Sequence, residues 1–298
     1  MSELTTAAGV LGLPLLAAML FACAALLMKR TTHWQLDIWR VSFVCNLVSA
    51  VAFQPFWLLS QGDPPWAMWW QPAAVGLLYV AGQVLTLTSL AQGEISVAAP
   101  VLGLKIVFVP FFLWLMGAGL LPLTTWIACC GATLAIGLLN STDAGSSRGK
   151  VWFSILTAAS GAAAFALFDV CVQLWSPAWG RGAFLPVMFA FSSLLSLSLI
   201  PFFQQSLRCI PLAAWPTLLA AALFIAAQAL AIVASVAFWQ QVAVSNVIYS
   251  SRGLWSLLAV WLVGRYLQVS DSGLTPRVLL LRTCGALLLL ASIALLMW

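Results

Sequence analysis

Residues Ser96–Gly117 read SVAAPVLGLKIVFVPFFLWLMG. This is a run of about 20 mostly apolar residues, the length that spans the hydrocarbon core of a bilayer. One cation, Lys105, stands near its middle. A charge at that depth costs roughly 2.5–3.5 kcal/mol on insertion scales, so its side chain must face a partner or a wet cavity rather than lipid. The pattern returns 147 positions later. Laid over Ala243–Gly264, Lys105 falls on Arg252, Trp114 on Trp261, Leu115 on Leu262 and Gly117 on Gly264. Two long apolar segments in the two halves of the chain carry a cation in the same place. A duplicated membrane transporter would have this pattern.

The rest of the chain has the composition to match. Of its 298 residues 63% are hydrophobic and only 6% are charged, against about 25% charged in soluble domains. The apolar runs are continuous and do not alternate over ten-residue strands, which argues against a β-barrel. The fold class expected is an all-α membrane protein of ten transmembrane helices, at about 7–28, 36–60, 67–90, 95–117, 121–140, 150–174, 182–203, 213–238, 243–264 and 277–297. The first segment is too long for a signal-peptide core and no basic residue precedes it, so it reads as a retained helix. The most polar connection, Asn140–Lys150 (NSTDAGSSRGK), lies at the centre and suits a flexible joint. It divides the chain into two five-helix repeats, 1–145 and 146–298. Five is odd, so the two repeats insert in opposite orientations.

Several function classes fall away. The net charge of +5 comes without a basic cluster, so no nucleic acid partner is expected. The seven cysteines show no CxxC and no metal spacing; they read as small packing residues. His33, the one histidine, adjoins a span end and reads as an interfacial residue. With few acids and no nucleophile motif the chain is not expected to be an enzyme, and no metal and no cofactor is expected.

Residues 15–43, LLAAMLFACAALLMKRTTHWQLDIWRVSF, put a small-residue-rich helix ending at Lys29 before a second helix starting near Arg40. The ends of the halves, WLMGAGLLPLTTWIACCGATLAIGLL and WLVGRYLQ…LRTCGALLLLASIALL, each show a helix, a loop and a Gly-centred final helix. In this order the segments resemble EamA-type members of the drug/metabolite transporter superfamily. The resemblance implies inverted-topology repeats around a central cavity, alternating access, and export or exchange of small metabolites. Where that family often has Gly-Glu after the fourth and ninth helices, this chain has Gly117-Ala118 and Gly264-Arg265, so no role carries over there.

Candidate site residues come from polar groups inside spans. Lys105 and Arg252 would form a positive cavity for a carboxylate or phosphate, or a gate of ion pairs; the competing reading is a structural pair with Asp169 or Glu94. Asp169 is the acid inside a span, in FALFDVCVQLWSPAWG. It is a proton-coupling group if no cation neighbours it and an ion-pair partner if one does, with Gln173 one turn away. Ser245 and Tyr249 share Arg252's stripe, and Tyr79, Gln83 and Gln228 present polar groups mid-span. Substrate contact and interhelical hydrogen bonding compete for all five. Pro100 and Pro110 flank Lys105 and should kink its helix. The small-residue run Ser160–Ala164 should admit a close helix neighbour. Trp66, Trp69, Trp70, Trp175, Trp179 and Trp298 fall near span ends, where an aromatic belt sits.

The reading is a secondary transporter of a small organic metabolite through a cavity lined by the third, fourth, eighth and ninth spans. The alternative is a lipid-head-group translocase or membrane sensor on the same scaffold. Expected partners are a small-molecule solute and membrane lipids; the chain is expected as a monomer or homodimer in a bacterial cytoplasmic membrane. Positive charge on the connections at one end places the termini outside, whereas the resemblance places them in the cytoplasm.

Overall fold

The computed structural model describes residues 8–60, 63–92, 95–119, 121–139, 148–263 and 276–295. Helix is the only regular structure among the described residues. Twelve α-helices follow in chain order there: α1 Leu13–Thr31, α2 Ile38–Phe53, α3 Trp70–Gln92, α4 Ile95–Leu102, α5 Lys105–Leu115, α6 Leu123–Leu139, α7 Arg148–Trp175, α8 Gly180–Leu195, α9 Trp215–Trp239, α10 Val242–Tyr249, α11 Arg252–Val263 and α12 Pro276–Leu295. Six stretches are long and apolar enough to cross a membrane: Gly9–Met28, Ile38–Leu59, Trp66–Ser89, Val151–Trp179, Gly182–Phe202 and Leu212–Trp239. Large apolar side chains stand out from the bundle, with Leu58 88% and Leu123 74% exposed, as a hydrocarbon surround permits. The connection at residues 140–147, Gly93-Glu94, Gly264-Arg265 and Trp298 lie outside the described residues.

The segment around Lys105 is not one helix. α4 stops at Leu102, Gly103 and Leu104 form a turn, and α5 begins at Lys105. Ala243–Gly264 divides in the same register: α10 stops at Tyr249, Ser250 and Ser251 turn, and α11 begins at Arg252. Each junction is closed by short-range bonds. The Leu104 N–H donates to the Val101 carbonyl at 3.0 Å and the Ser251 N–H to the Ile248 carbonyl at 3.0 Å. Gly and Ser are weaker in a helix interior than the Leu and Ala around them. A break inside apolar surroundings exposes carbonyls that must find donors; the Thr133 hydroxyl donates to the Gly103 carbonyl at 3.2 Å. The kink expected from Pro100 and Pro110 is thus a break between them, and α5 continues through Pro110.

Small residues set the helix pairings. α7 packs on α3, where a Cβ on Gly161 would sit 2.9 Å from the Thr86 hydroxyl and 3.4 Å from the Gly82 carbonyl. The Ser160–Ala164 run is therefore a close-approach face, as read from the sequence. α1 packs on the alanine-rich α9, and Ser235 of α9 donates to the Gly9 carbonyl at 3.0 Å. α6 crosses α12 through Gly131 facing Ser292 and Gly285 facing Leu138. Further contacts join α2 to α9, α3 to α8, α1 to α11, α5 to α7 and α2 to α8. At the last of these Phe53 stacks on Phe189 at 3.8 Å between centroids.

Two sequence readings need correction. Trp66, Trp69 and Trp70 are half-exposed, but Trp179 is a core residue, 2% exposed, because its indole N–H finds Gln71 Oε1 at 3.0 Å. The cysteines are not all packing residues: Cys45, Cys129 and Cys171 are buried, whereas Cys23, Cys130, Cys209 and Cys284 are exposed.

Candidate functional site

Because both breaks precede the cations, Lys105 and Arg252 are each the first residue of a second half-helix. Their surroundings differ. Lys105 Nζ lies 2.7 Å from Asp169 Oδ2 and 5.9 Å from the centre of the Phe165 ring. Asp169 hangs from α7 and is 4% exposed. Its Oδ2 also accepts from Asn246 Nδ2 at 2.7 Å, and Asn246 donates to the Val242 carbonyl of its own half-helix at 3.0 Å. One turn along α7, Gln173 Oε1 accepts the Val242 N–H at 2.8 Å. Asp169 and Gln173 thus fasten α10 to α7, while Asp169 fastens the start of α5.

The Arg252 guanidinium has no carboxylate within ion-pair distance among the described residues; the two ion pairs found there are Lys105–Asp169 and Arg40–Asp37. Its Cζ stands 4.8 Å from the centres of both the Phe21 and Tyr249 rings. Aromatic faces attract a cation electrostatically without neutralising it. Nη1 donates to Tyr249 Oη at 3.2 Å, and that hydroxyl donates to Gln228 Oε1 at 2.7 Å. A guanidinium has five N–H donors in a planar fork; one is used here, which leaves donors for a carboxylate or phosphate.

The other candidates divide between this site and helix packing. Ser245 is fully buried and 3.2 Å from Ser235 Oγ, a link between α10 and α9. Gln83 exchanges two amide bonds with Asn46 of α2, at 3.0 and 3.3 Å. The Tyr79 ring packs among Phe165, Phe168 and Phe189 at 5.5–6.0 Å. The structure therefore joins Tyr249, Gln228 and Arg252 in one chain of bonds and Lys105 with Asp169 in another. In the bonds it makes, Ser245 is set apart. Sequence reasoning missed Asn246, Asn46 and Phe21. Asn246 is a mid-span amide one position from the Ser245–Tyr249 stripe, and that was its available signal. Phe21 looked like any other apolar residue of the first span.

Arg40 and Asp37 form a separate pair at the start of α2. Asp37 Oδ1 accepts the Arg40 N–H at 3.0 Å as an N-cap, and Oδ2 takes the guanidinium Nε. Both residues are buried. Among the described residues no group of three or more His, Cys, Asp or Glu is placed to hold a metal.

No curated protein matches the chain. Twenty-nine chains of solved structures do. One of them, described only as "Crystal structure of protein", superposes with a TM-score of 0.72 at 16% identity, covering 96% of this chain and 95% of its own. At that identity the likeness shows a shared fold. Residues 7–141 match the profile of the EamA-like transporter family, the family that the order of segments around Lys29, Arg40 and Gly131 resembles. With six membrane-length apolar helical stretches and that match, the chain is an integral membrane protein whose residues 7–141 are similar to the EamA-like transporter family.

Proposed function

We propose that the chain is a secondary transporter that exports or exchanges a small organic metabolite bearing an anionic group. The observation that carries this is Arg252: a guanidinium at a helix break, held between two aromatic rings, with no carboxylate in ion-pair range among the described residues. Broken helices in corresponding places of two halves are where transporters of inverted-repeat design bind their substrates. Lys105 in this reading is the exchangeable partner, paired with Asp169 when the site is empty and released to the anion when it is filled.

Inverted repeats with ten spans are supported by two features. The breaks before Lys105 and Arg252 share one register. The helix contacts also persist when the halves are exchanged. α1 on α9 becomes α7 on α3, α2 on α9 becomes α8 on α3, and α11 on α1 becomes α5 on α7. The pairs α6 with α12 and α2 with α8 map onto themselves. Alternating access then follows as one set of pairings opening while its counterpart closes. We place the protein in a bacterial cytoplasmic membrane on the basis of its short connections.

A test is solute flux in proteoliposomes, with a panel of labelled carboxylates and phosphorylated metabolites, for the wild type, Arg252→Ala and Lys105→Ala. Flux of one anion class that Arg252→Ala abolishes supports the reading. Undiminished flux in both variants at normal insertion removes the site. One observation favours the lipid-translocase alternative: an apolar groove of about 440 Å³ between Leu15 of α1, Trp255 and Leu258 of α11 and Leu290 of α12. Scrambling of fluorescent phospholipid by the same proteoliposomes, with no anion flux, would select it.

A further inference from the structure

The groove beside α11 has one polar side chain among its described lining residues, Ser251. The rest of the lining is apolar, with Leu15 of α1, Ile248 of α10, Trp255 and Leu258 of α11 and Leu290 of α12. Leu15, Leu258 and Leu290 are exposed, so the groove opens toward the hydrocarbon of the bilayer. Ser251 itself is 4% exposed, and its hydroxyl has no hydrogen-bond partner among the described residues. A buried hydroxyl ordinarily has one. The other serine of the same turn shows the ordinary case: the Ser250 hydroxyl donates to the Val247 carbonyl at 2.5 Å.

A second observation points to a ligand. In the register that lays Lys105 on Arg252, Trp255 falls on Phe108, Leu258 on Phe111 and Ser251 on Leu104. The apolar walls stay apolar in both halves, and Ser251 alone of these changes class. Serine gives up the volume of a leucine at this turn and puts a hydrogen-bond donor in its place. Close packing asks for neither. Water does not account for the free donor. A buried water needs two to four polar partners, and Ser251 is the one polar side chain that the described lining offers. Phospholipid esters do not reach it either. Ser251 stands in the interior of Ala243–Gly264, a segment of bilayer length, away from both head-group layers. What fits is an apolar body with one acceptor oxygen. It carries no charge, because no described lining residue is charged. The volume, about 440 Å³, is that of a small-molecule site.

We propose that this groove binds a neutral, membrane-dissolved aromatic ketone, whose carbonyl oxygen accepts a hydrogen bond from Ser251 and whose rings lie against Trp255. The site goes beyond the anion reading above and does not rest on it, since Arg252 is not in the lining. A molecule bonded to Ser251 would splint the turn between α10 and α11, one residue before Arg252. A compound carried by the bilayer, and not by water, would thus act on the second break.

The test uses purified full-length protein in detergent and matched probes, each a ketone and the hydrocarbon of the same shape: benzophenone with diphenylmethane, fluorenone with fluorene. Thermal unfolding is followed against probe concentration, since a ligand of the native state raises Tm by mass action. At least one ketone is expected to half-saturate at a concentration about fivefold lower than its hydrocarbon, the worth of one neutral hydrogen bond. Ser251→Ala keeps the groove and removes the donor, so ketone and hydrocarbon should then half-saturate alike. Ser251→Thr keeps the hydroxyl and should keep the preference. Ser251→Leu restores the side chain of the first half, fills the groove and should abolish both shifts. The Tm without probe reports whether each variant folds; should Ser251→Ala fail to fold, the preference in the wild type and its loss in Ser251→Leu decide. A hydrocarbon that half-saturates with its ketone in the wild type overturns the proposal and returns the groove to lipid chains. No shift from either ketone overturns it as well. Loss of the ketone shift in Arg252→Ala with an unchanged preference in Ser251→Ala places the ketone at the cation and overturns the site.

Discussion

Lys105 and Asn246, from opposite halves of the chain, converge on one atom: Asp169 Oδ2 lies 2.7 Å from each. Both belong to segments that are broken in the middle, so one carboxylate oxygen ties the two breaks together. A pair of charges taken out of water gains when mutual attraction and extra hydrogen bonds offset lost hydration, and removing one member leaves the other uncompensated.

Asp169→Asn should therefore destabilise the protein by about 3 kcal/mol, the low end of what breaking a buried pair costs. The residual charge on Lys105 is the cause. Adding Lys105→Met to Asp169→Asn should recover a large part of the loss, because no unpaired charge then remains. Thermal or denaturant unfolding in detergent checks this. A double variant as unstable as the sum of the singles would mean that the two side chains do not interact.

Arg252→Lys should fail to preserve anion binding although charge is kept. A planar guanidinium stacks between Phe21 and Tyr249 and forks two bonds onto a carboxylate, whereas an ammonium does neither. Loss of planar stacking and of bidentate geometry amounts to about 1.4 kcal/mol or more, a tenfold weaker Kd. Flux measured against anion concentration reads this as a raised half-saturation with Arg252→Lys.

Much of this architecture was legible in the sequence, and the reason is chemical. A bilayer leaves few choices for runs of 20 apolar residues, so the apolar helical segments showed as hydrophobicity. The glycines of the two final helices showed only as a pattern shared with a family, and their role at the α6–α12 crossing came from the structure. What stayed hidden was set by pairing. The sequence offered Asp169 or Glu94 as a partner for either cation, but nothing in the spacing said that Asp169, 64 positions from Lys105, would pair with Lys105 while Arg252 went without a carboxylate among the described residues. Gly103 and Ser250-Ser251 carried the breaks as ordinary small residues, and the prolines beside Lys105 drew attention away from them. Trp179 read as a belt residue because its partner Gln71 lies in another span.

The crossing of α6 and α12 predicts a sharp contrast between two glycines. A Cβ on Gly285 would sit 2.8 Å from the Ala135 carbonyl and 3.0 Å from the Leu139 backbone nitrogen. Backbone cannot swing aside as a side chain can. Gly285→Ala should push the helices apart and cost about 1–3 kcal/mol, the range for overpacking. A Cβ on Gly137, on α6 itself, meets nothing within 4 Å. Gly137→Ala should be neutral or stabilise the helix by up to about 1 kcal/mol. Side-by-side unfolding of the two variants checks the crossing; equal effects would place α12 elsewhere.

The last expectation concerns Gln83 and Asn46, which face each other across α3 and α2. Two amides that exchange both a donor and an acceptor, at 3.0 and 3.3 Å, satisfy one another without water. Inside a membrane protein such bonds are worth less than their isolation suggests, because the unfolded chain in the bilayer also finds partners, and coupling averages about 0.6 kcal/mol. Gln83→Leu alone strands the Asn46 amide, which is 1% exposed, and should cost about 1–3 kcal/mol as an unsatisfied buried group. Replacing Asn46 by Leu as well removes the stranded group and should restore part of that. If Gln83 instead contacts solute, Gln83→Leu lowers flux even in the double variant whose stability has recovered. If it only joins α3 to α2, flux recovers with stability. Measuring both quantities on the same preparations separates the two roles.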